Sequence, residues 1–229
     1  MFLTEFLKEI ELNFSFLKDY GFAQQKVDPS LSRYIWFEKH SSSEGFKLMF
    51  HWTQYGEKFY IKEVRAEKRF NTVESEIART LSRKTEDLYT INLMPDLETI
   101  PKELDPKMTS AGIESTILNK DHLIEFASFF KKFYQEHVTL FFKRYSDLSA
   151  VNAELAILLE RQEIQTLLTS VANSTMLRFY CIAALYNNVE MLDFMSKVYF
   201  PYLEENIHEN VEKTESERFK VLMQNLRQS

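Results

Sequence analysis

Glycine is scarce: only Gly21, Gly45, Gly56 and Gly112 occur in 229 residues. Loops that cradle phosphates need several glycines close together, because backbone amides must approach the ligand without a Cβ in the way. This spacing excludes a Walker-type loop and a dinucleotide-binding fingerprint. Cysteine is scarcer still. Cys181 alone rules out an internal disulfide and a zinc cage built from cysteines. No stretch approaches 18 uninterrupted apolar residues, and Glu5, Glu9 and Glu11 stand where a signal peptide needs an apolar run. The sequence therefore predicts a cytoplasmic protein without a membrane span. A basic excess is also missing. The net charge of −6 divides into −2 for residues 1–100 (14 basic, 16 acidic) and −4 for residues 101–229 (14 basic, 18 acidic). Phosphate binding is driven by clustered Lys and Arg, so nucleic acid is not the expected ligand, whereas a basic protein partner is allowed.

Aromatic residues are abundant, with 20 Phe and 11 Tyr, and a chain of this size buries about 70–75% of its unfolded surface. Stability should rest on aromatic packing. The longest helical pattern runs from Asp121 to Tyr145. At about 100° per residue, its apolar positions from Leu123 through Phe126, Phe130, Phe133, Val138 and Phe141 cover more than half the circumference. Only a strip through Glu125, Ser128, Lys132, Gln135, Glu136, Thr139 and Lys143 reads as wet. Such a helix is expected to lie between other elements, and the sequence reading places it between two lobes.

Residues 2–19 repeat Phe2, Leu3, Phe6, Leu7, Ile10, Phe14 and Leu17 at helical spacing, and Gly21 offers a stop. The pattern then turns strand-like in Ser32–Lys39, Phe46–Tyr55 and Phe59–Arg69, joined by short polar turns. A fourth strand is expected at Tyr89–Met94. Asn71 followed by Glu74 resembles a capping box ahead of a short helix through Val73, Ile77 and Leu81. Pro95, Pro101 and Pro106, with Gly112, mark residues 95–116 as a connection. Beyond it, helices are expected at Leu148–Glu160, Ser174–Asn187, Val189–Tyr199 and Glu215–Gln228, with Pro201 kinking or restarting the chain after Tyr199. The expected fold is α+β: an N-terminal helix with a three- or four-stranded antiparallel meander over residues 1–94, then a helical lobe over 117–229.

Side chains that carry chemistry are few and scattered. Glu205 and His208 have the spacing of half a carboxylate-bridged metal site, but the other half is not visible. They read as solvent-exposed. His122 reads as part of a helix cap, His137 as a core or boundary residue, and Cys181 as a small buried hydrophobe. No catalytic, metal or cofactor site is assigned. His51 alternates with Phe50 and Trp52; with Trp36, Trp52 and Tyr55 it is the candidate lining of a pocket between the lobes. Glu204, Glu205, Glu209 and Glu212 form an acidic cluster suited to steering a basic partner.

The order helix, Asp19-Tyr20-Gly21-Phe22, aromatic hairpin (Tyr34-Ile35-Trp36-Phe37, then Phe46 to Gln54), capped helix and helical half resembles a group of small bacterial domains. Some of these are immunity proteins of polymorphic toxin systems. The resemblance covers about the first 100 residues, with an echo in Phe142-Lys143-Arg144-Tyr145-Ser146-Asp147-Leu148. It implies a non-catalytic module that neutralises a basic toxin by stoichiometric binding through the acidic cluster. Two other readings stand beside it: an enzyme or small-ligand binder using the Trp36–His51–Trp52–Tyr55 pocket, and a helical scaffold that dimerises through aromatic surface.

Overall fold

A computed structural model describes residues 1–25, 33–82, 89–109, 112–160, 175–205 and 210–227. In chain order these form α1 (Leu3–Asn13), a 3-10 turn (Ser15–Tyr20), β1 (Ala23–Gln24), β2 (Tyr34–His40), β3 (Glu44–Tyr55), β4 (Lys58–Phe70), α2 (Asn71–Leu81) and β5 (Ile91–Leu93). Two 3-10 turns (Leu97–Thr99 and Lys102–Leu104) lead to β6 (Lys107–Thr109), β7 (Gly112–Ile117), α3 (Lys120–Phe133), a π turn (Tyr134–Val138) and α4 (Thr139–Arg144). The remainder is helical: α5 (Leu148–Glu160), α6 (Thr175–Leu185), α7 (Val189–Phe194), a second π turn (Met195–Tyr199), α8 (Phe200–Glu205) and α9 (Asn210–Arg227). The fold is α+β, with an N-terminal helix, a sheet and a helical C-terminal part.

By contact the chain falls into two units, each assembled from separate segments. One comprises Met1–Ser41, Gly45–Glu67 and Leu93–Lys143; the other comprises Ser42–Glu44, Lys68–Asn92 and Arg144–Ser229.

The first unit is a sheet covered on one face by α1 and α3. Its strands run in the order β1-β2-β3-β4-β7-β6. The meander read from the sequence is therefore the middle of a wider sheet. Residues 95–116 are not a bare connection. Ile100 and Leu104 are buried in the core and β7 pairs antiparallel with β4, Ile61 opposite Ser115. Alternation of Ile113, Ser115 and Ile117 suits a half-buried strand better than a linker, and the three prolines are confined to the turns before it.

The core is aromatic, as expected. Phe6 stacks on Phe59 at 4.2 Å between centroids, and Phe14 meets Phe37, Phe50, Phe126 and Phe130 within 6 Å. Each fully buried Phe of this kind contributes about 1.5–3 kcal/mol through burial alone, and ring pairing adds about 0.5–1.5 kcal/mol. Gly21 ends the first helical segment at φ +80°, where a side chain would be strained. Its N–H bonds to Lys18 O and that of Phe22 to Leu17 O, the Schellman pattern that closes a helix end.

The long helix departs from regular spacing at the π turn. Continuing from Phe130 and Phe133, regular spacing would carry His137 and Leu140 inward. The wider turn delays the phase by one residue, so Val138 and Phe141 are buried instead, while Leu140 is 63% exposed. The inward placement expected of His137 is thereby corrected, since the residue is exposed.

The second unit packs α2 with α6 and α9, and α5 with α6 and α7. Asn188 caps α7 by accepting from Met191 N at 3.1 Å. The second π turn ends two residues before Pro201, whose missing N–H and bulky ring cannot continue a regular ladder. The capping box expected at Asn71 and Glu74 does not form. Asn71 Nδ2 donates to Ser42 O, and Glu74 is buried. No helix among the described residues is long and apolar enough to cross a membrane.

Candidate functional site

The pleat of β2 and β3 divides their side chains between two faces. Ile35, Phe37, Leu48, Phe50 and Trp52 enter the core. Tyr34 and Trp36, in register with His51 and Met49, share the opposite face. Trp52 is thus separated from His51 and Trp36 by the sheet itself. Tyr55 lies at the exposed strand end beside Tyr60, with 5.8 Å between centroids. The four residues expected to line one pocket are not brought together, because adjacent residues of a strand face opposite ways.

The outer face instead carries a charged network. Tyr34 Oη donates to Glu63 Oε2 at 3.1 Å, and its ring lies 4.7 Å from that of His51. Arg65 bridges two carboxylates, with Nη1 3.8 Å from Glu63 Oε2 and Nε 2.8 Å from Glu67 Oε1. Lys47 approaches Glu67 at 3.8 Å and sits 5.3 Å over the Trp36 ring. Burial pushes the Glu67 carboxyl upward against the pull of Arg65 and Lys47. Burial also lowers the His51 imidazole and raises the Tyr34 phenol, where Glu63 adds to the effect. Among the described residues His51 Nδ1 has no hydrogen-bond partner.

Glu63 occupies an unusual backbone position. In β4 the core residues are Phe59 and Ile61, then Val64 and Ala66. The shift from odd to even positions means that one extra residue is inserted, which is a β-bulge. Glu63 takes φ +52° there, a conformation costing a non-glycine residue roughly 1–3 kcal/mol.

Next to this bulge lies an apolar cleft of about 410 Å³ within the first unit. Its walls are Val64 of β4, Ile113 of β7, Ile100, and the Met94-Pro95 segment that follows β5. Met108 of β6 completes the lip, and Glu63 and Ser115 are the polar members. Ser115 is 2% exposed, whereas Met94 and Met108 are 53% and 66% exposed. Methionine side chains are flexible and polarizable, so they adapt to varied surfaces.

The acidic cluster is only partly described. Glu204 is exposed and paired with Lys220 at 2.9 Å, and Glu205 is exposed. Glu209 and His208 lie outside the described residues, as does the side chain of Glu212. Cys181 is buried in α6, where burial and the nearby Glu76 and Glu74 push its thiol up to about 12. No group of three or more metal-ligating side chains is assembled among the described residues. No protein-family profile, curated protein or solved structure matches the chain.

Proposed function

We propose that this chain is a protein-binding module acting without catalysis, and that its recognition surface is the Met94–Met108 cleft of the first unit. The observation that carries this reading is the pair of exposed methionines at the lip of an apolar, half-enclosed cavity. Large exposed apolar groups gathered in one place mark interaction sites on soluble proteins. The immunity role implied by the resemblance is one form of such a module: a cytoplasmic bacterial protein that neutralises a basic toxin one-to-one. Glu204 and Glu205 remain candidate steering charges in that reading.

A photo-crosslinking residue at position 108, expressed in the source organism, tests the proposal, with the same residue at the exposed helical position 125 as control. A single protein joined near one-to-one at 108 and absent at 125 supports the module. Toxicity of that protein alone, relieved by equimolar chain, supports the immunity form. Adducts that are the same at both positions overturn the assignment of the surface.

A second reading has its own support. A cavity of about 410 Å³ falls in the range of small-ligand pockets, with Glu63 and Ser115 to orient an amphipathic molecule. Native mass spectrometry of the purified chain separates the two, because a retained small molecule adds a discrete mass without any protein partner.

A further inference from the structure

We infer that the cleft of the first unit binds a small neutral molecule oxygen first: a mainly aliphatic body carrying one hydroxyl or carbonyl group that bonds to Ser115. The inference rests on the second, small-ligand reading above and names the chemistry of the ligand.

Ser115 is the observation that carries it. It stands opposite Ile61 in the β4–β7 register, and strand alternation puts it with Ile113 and Ile117 on the side that faces the core. It lines the cleft although only 2% of it is exposed. Among the described residues its hydroxyl makes no hydrogen bond. Buried polar groups in native folds are satisfied by protein, by water or by a ligand. A buried water takes two to four polar partners, and the side chains around this cleft offer Ser115 alone. The other polar member, Glu63, already accepts from Tyr34 and pairs with Arg65 on the outer face of the sheet. A ligand oxygen with its own carbon body completes the hydroxyl and needs no further partner.

The lining also sets the rest of the molecule. No cation is among the residues that line the cleft, so a carboxylate or phosphate would be buried without a counter-ion, which is costly. An ammonium group finds the Glu63 carboxylate engaged. Val64, Ile100 and Ile113 supply aliphatic walls, and the flexible side chains of Met94 and Met108 adapt to a tail at the lip. At roughly 30 Å³ for each water-sized unit, a cavity of about 410 Å³ holds on the order of ten non-hydrogen atoms. The ligand class is therefore a neutral aliphatic alcohol or ketone of that size.

The test uses the unmodified full chain and 1-octanol at pH 7.5, followed by amide chemical shifts and by nuclear Overhauser contacts from the alcohol. Saturable shifts are expected at residues 64, 94, 100, 108, 113 and 115. The methylene beside the hydroxyl should lie close to Ser115, and the terminal methyl close to Met94 and Met108. Sodium octanoate should bind about tenfold more weakly or worse. Ser115→Ala should lose about fivefold in affinity for octanol. If the alcohol binds tail first, if octanoate binds as tightly, or if Ser115→Ala holds octanol as well as the parent, the ligand class is overturned while the cleft stands as a small-ligand site. If neither probe gives saturable shifts at the cleft, the small-ligand reading fails together with the inference.

Discussion

Arg178 grips Glu74 with two parallel hydrogen bonds, Nε to Oε1 at 2.8 Å and Nη2 to Oε2 at 2.7 Å, and neither residue is more than 1% exposed. Thr90 Oγ1 adds a third bond to Oε1 at 2.7 Å and itself accepts from Phe70 N. The pair thereby joins α6, α2 and the segment before β5. Removing one partner leaves an uncompensated buried charge, which costs about 3–5 kcal/mol. Arg178→Met alone should lower stability by that amount in urea unfolding. The double variant Arg178→Met with Glu74→Leu should recover most of the loss, because a well-packed apolar pair also avoids desolvation.

Val138 and His137 provide a direct check on the π turn. Val138→Asp places a carboxylate in the core and should cost more than about 3 kcal/mol. His137→Asp, on the exposed side, should stay within about 0.5 kcal/mol of the parent. A regular helix through this stretch would reverse the two results, and chemical denaturation of both variants decides between them.

His51 makes stability pH-dependent in a defined direction. Burial holds its imidazole below the ordinary 6.5, so the folded chain binds fewer protons than the unfolded one. That contribution is fully present above pH 6.5 and is lost as pH falls through the folded value. Urea midpoints at pH 7.5 and pH 5.5 should therefore fall less for His51→Gln than for the parent. Glu67 acts with the opposite slope, since its raised carboxyl is best tolerated protonated. Comparing single variants isolates each group.

Cys181 should be silent in the folded chain. A thiol pushed up to about 12 by burial carries almost no thiolate at neutral pH. Treatment with a disulfide reagent should label less than one-tenth of native molecules in an hour and all of them in 6 M guanidinium.

Much of the middle of the fold could be read from residues. Apolar repeats at helical spacing located α1 and α5, and alternation around Phe46–Tyr55 located β3. What escaped had physical reasons. The phase break between Ile61 and Val64 announces the bulge, but only to a reader who already assumes one continuous strand. The alternation of Ile113, Ser115 and Ile117 was legible, but Pro95, Pro101 and Pro106 upstream of it outweighed it and suggested a linker. The cleft at Met94 and Met108 was illegible because its walls come from segments as much as 50 residues apart, joined only by the pairing of β4 with β7. The Trp36–His51–Trp52–Tyr55 grouping failed for a reason the sequence did contain: strand parity sends neighbouring side chains to opposite faces.

The interleaving of the two units has a consequence during synthesis. Residues 68–92 belong with residues 144–229, so the segment holding Glu74 emerges from the ribosome well before the arginine that neutralises it, 104 positions later. At elongation rates of about 5–20 residues per second, that carboxylate and the apolar face of α2 wait roughly 5–20 s for their partners. Meanwhile the first unit can close once Lys143 has emerged. The nascent chain thus carries an early-folding part with an unfinished insert looped out of β4, and this interval is when a chaperone would have most to hold.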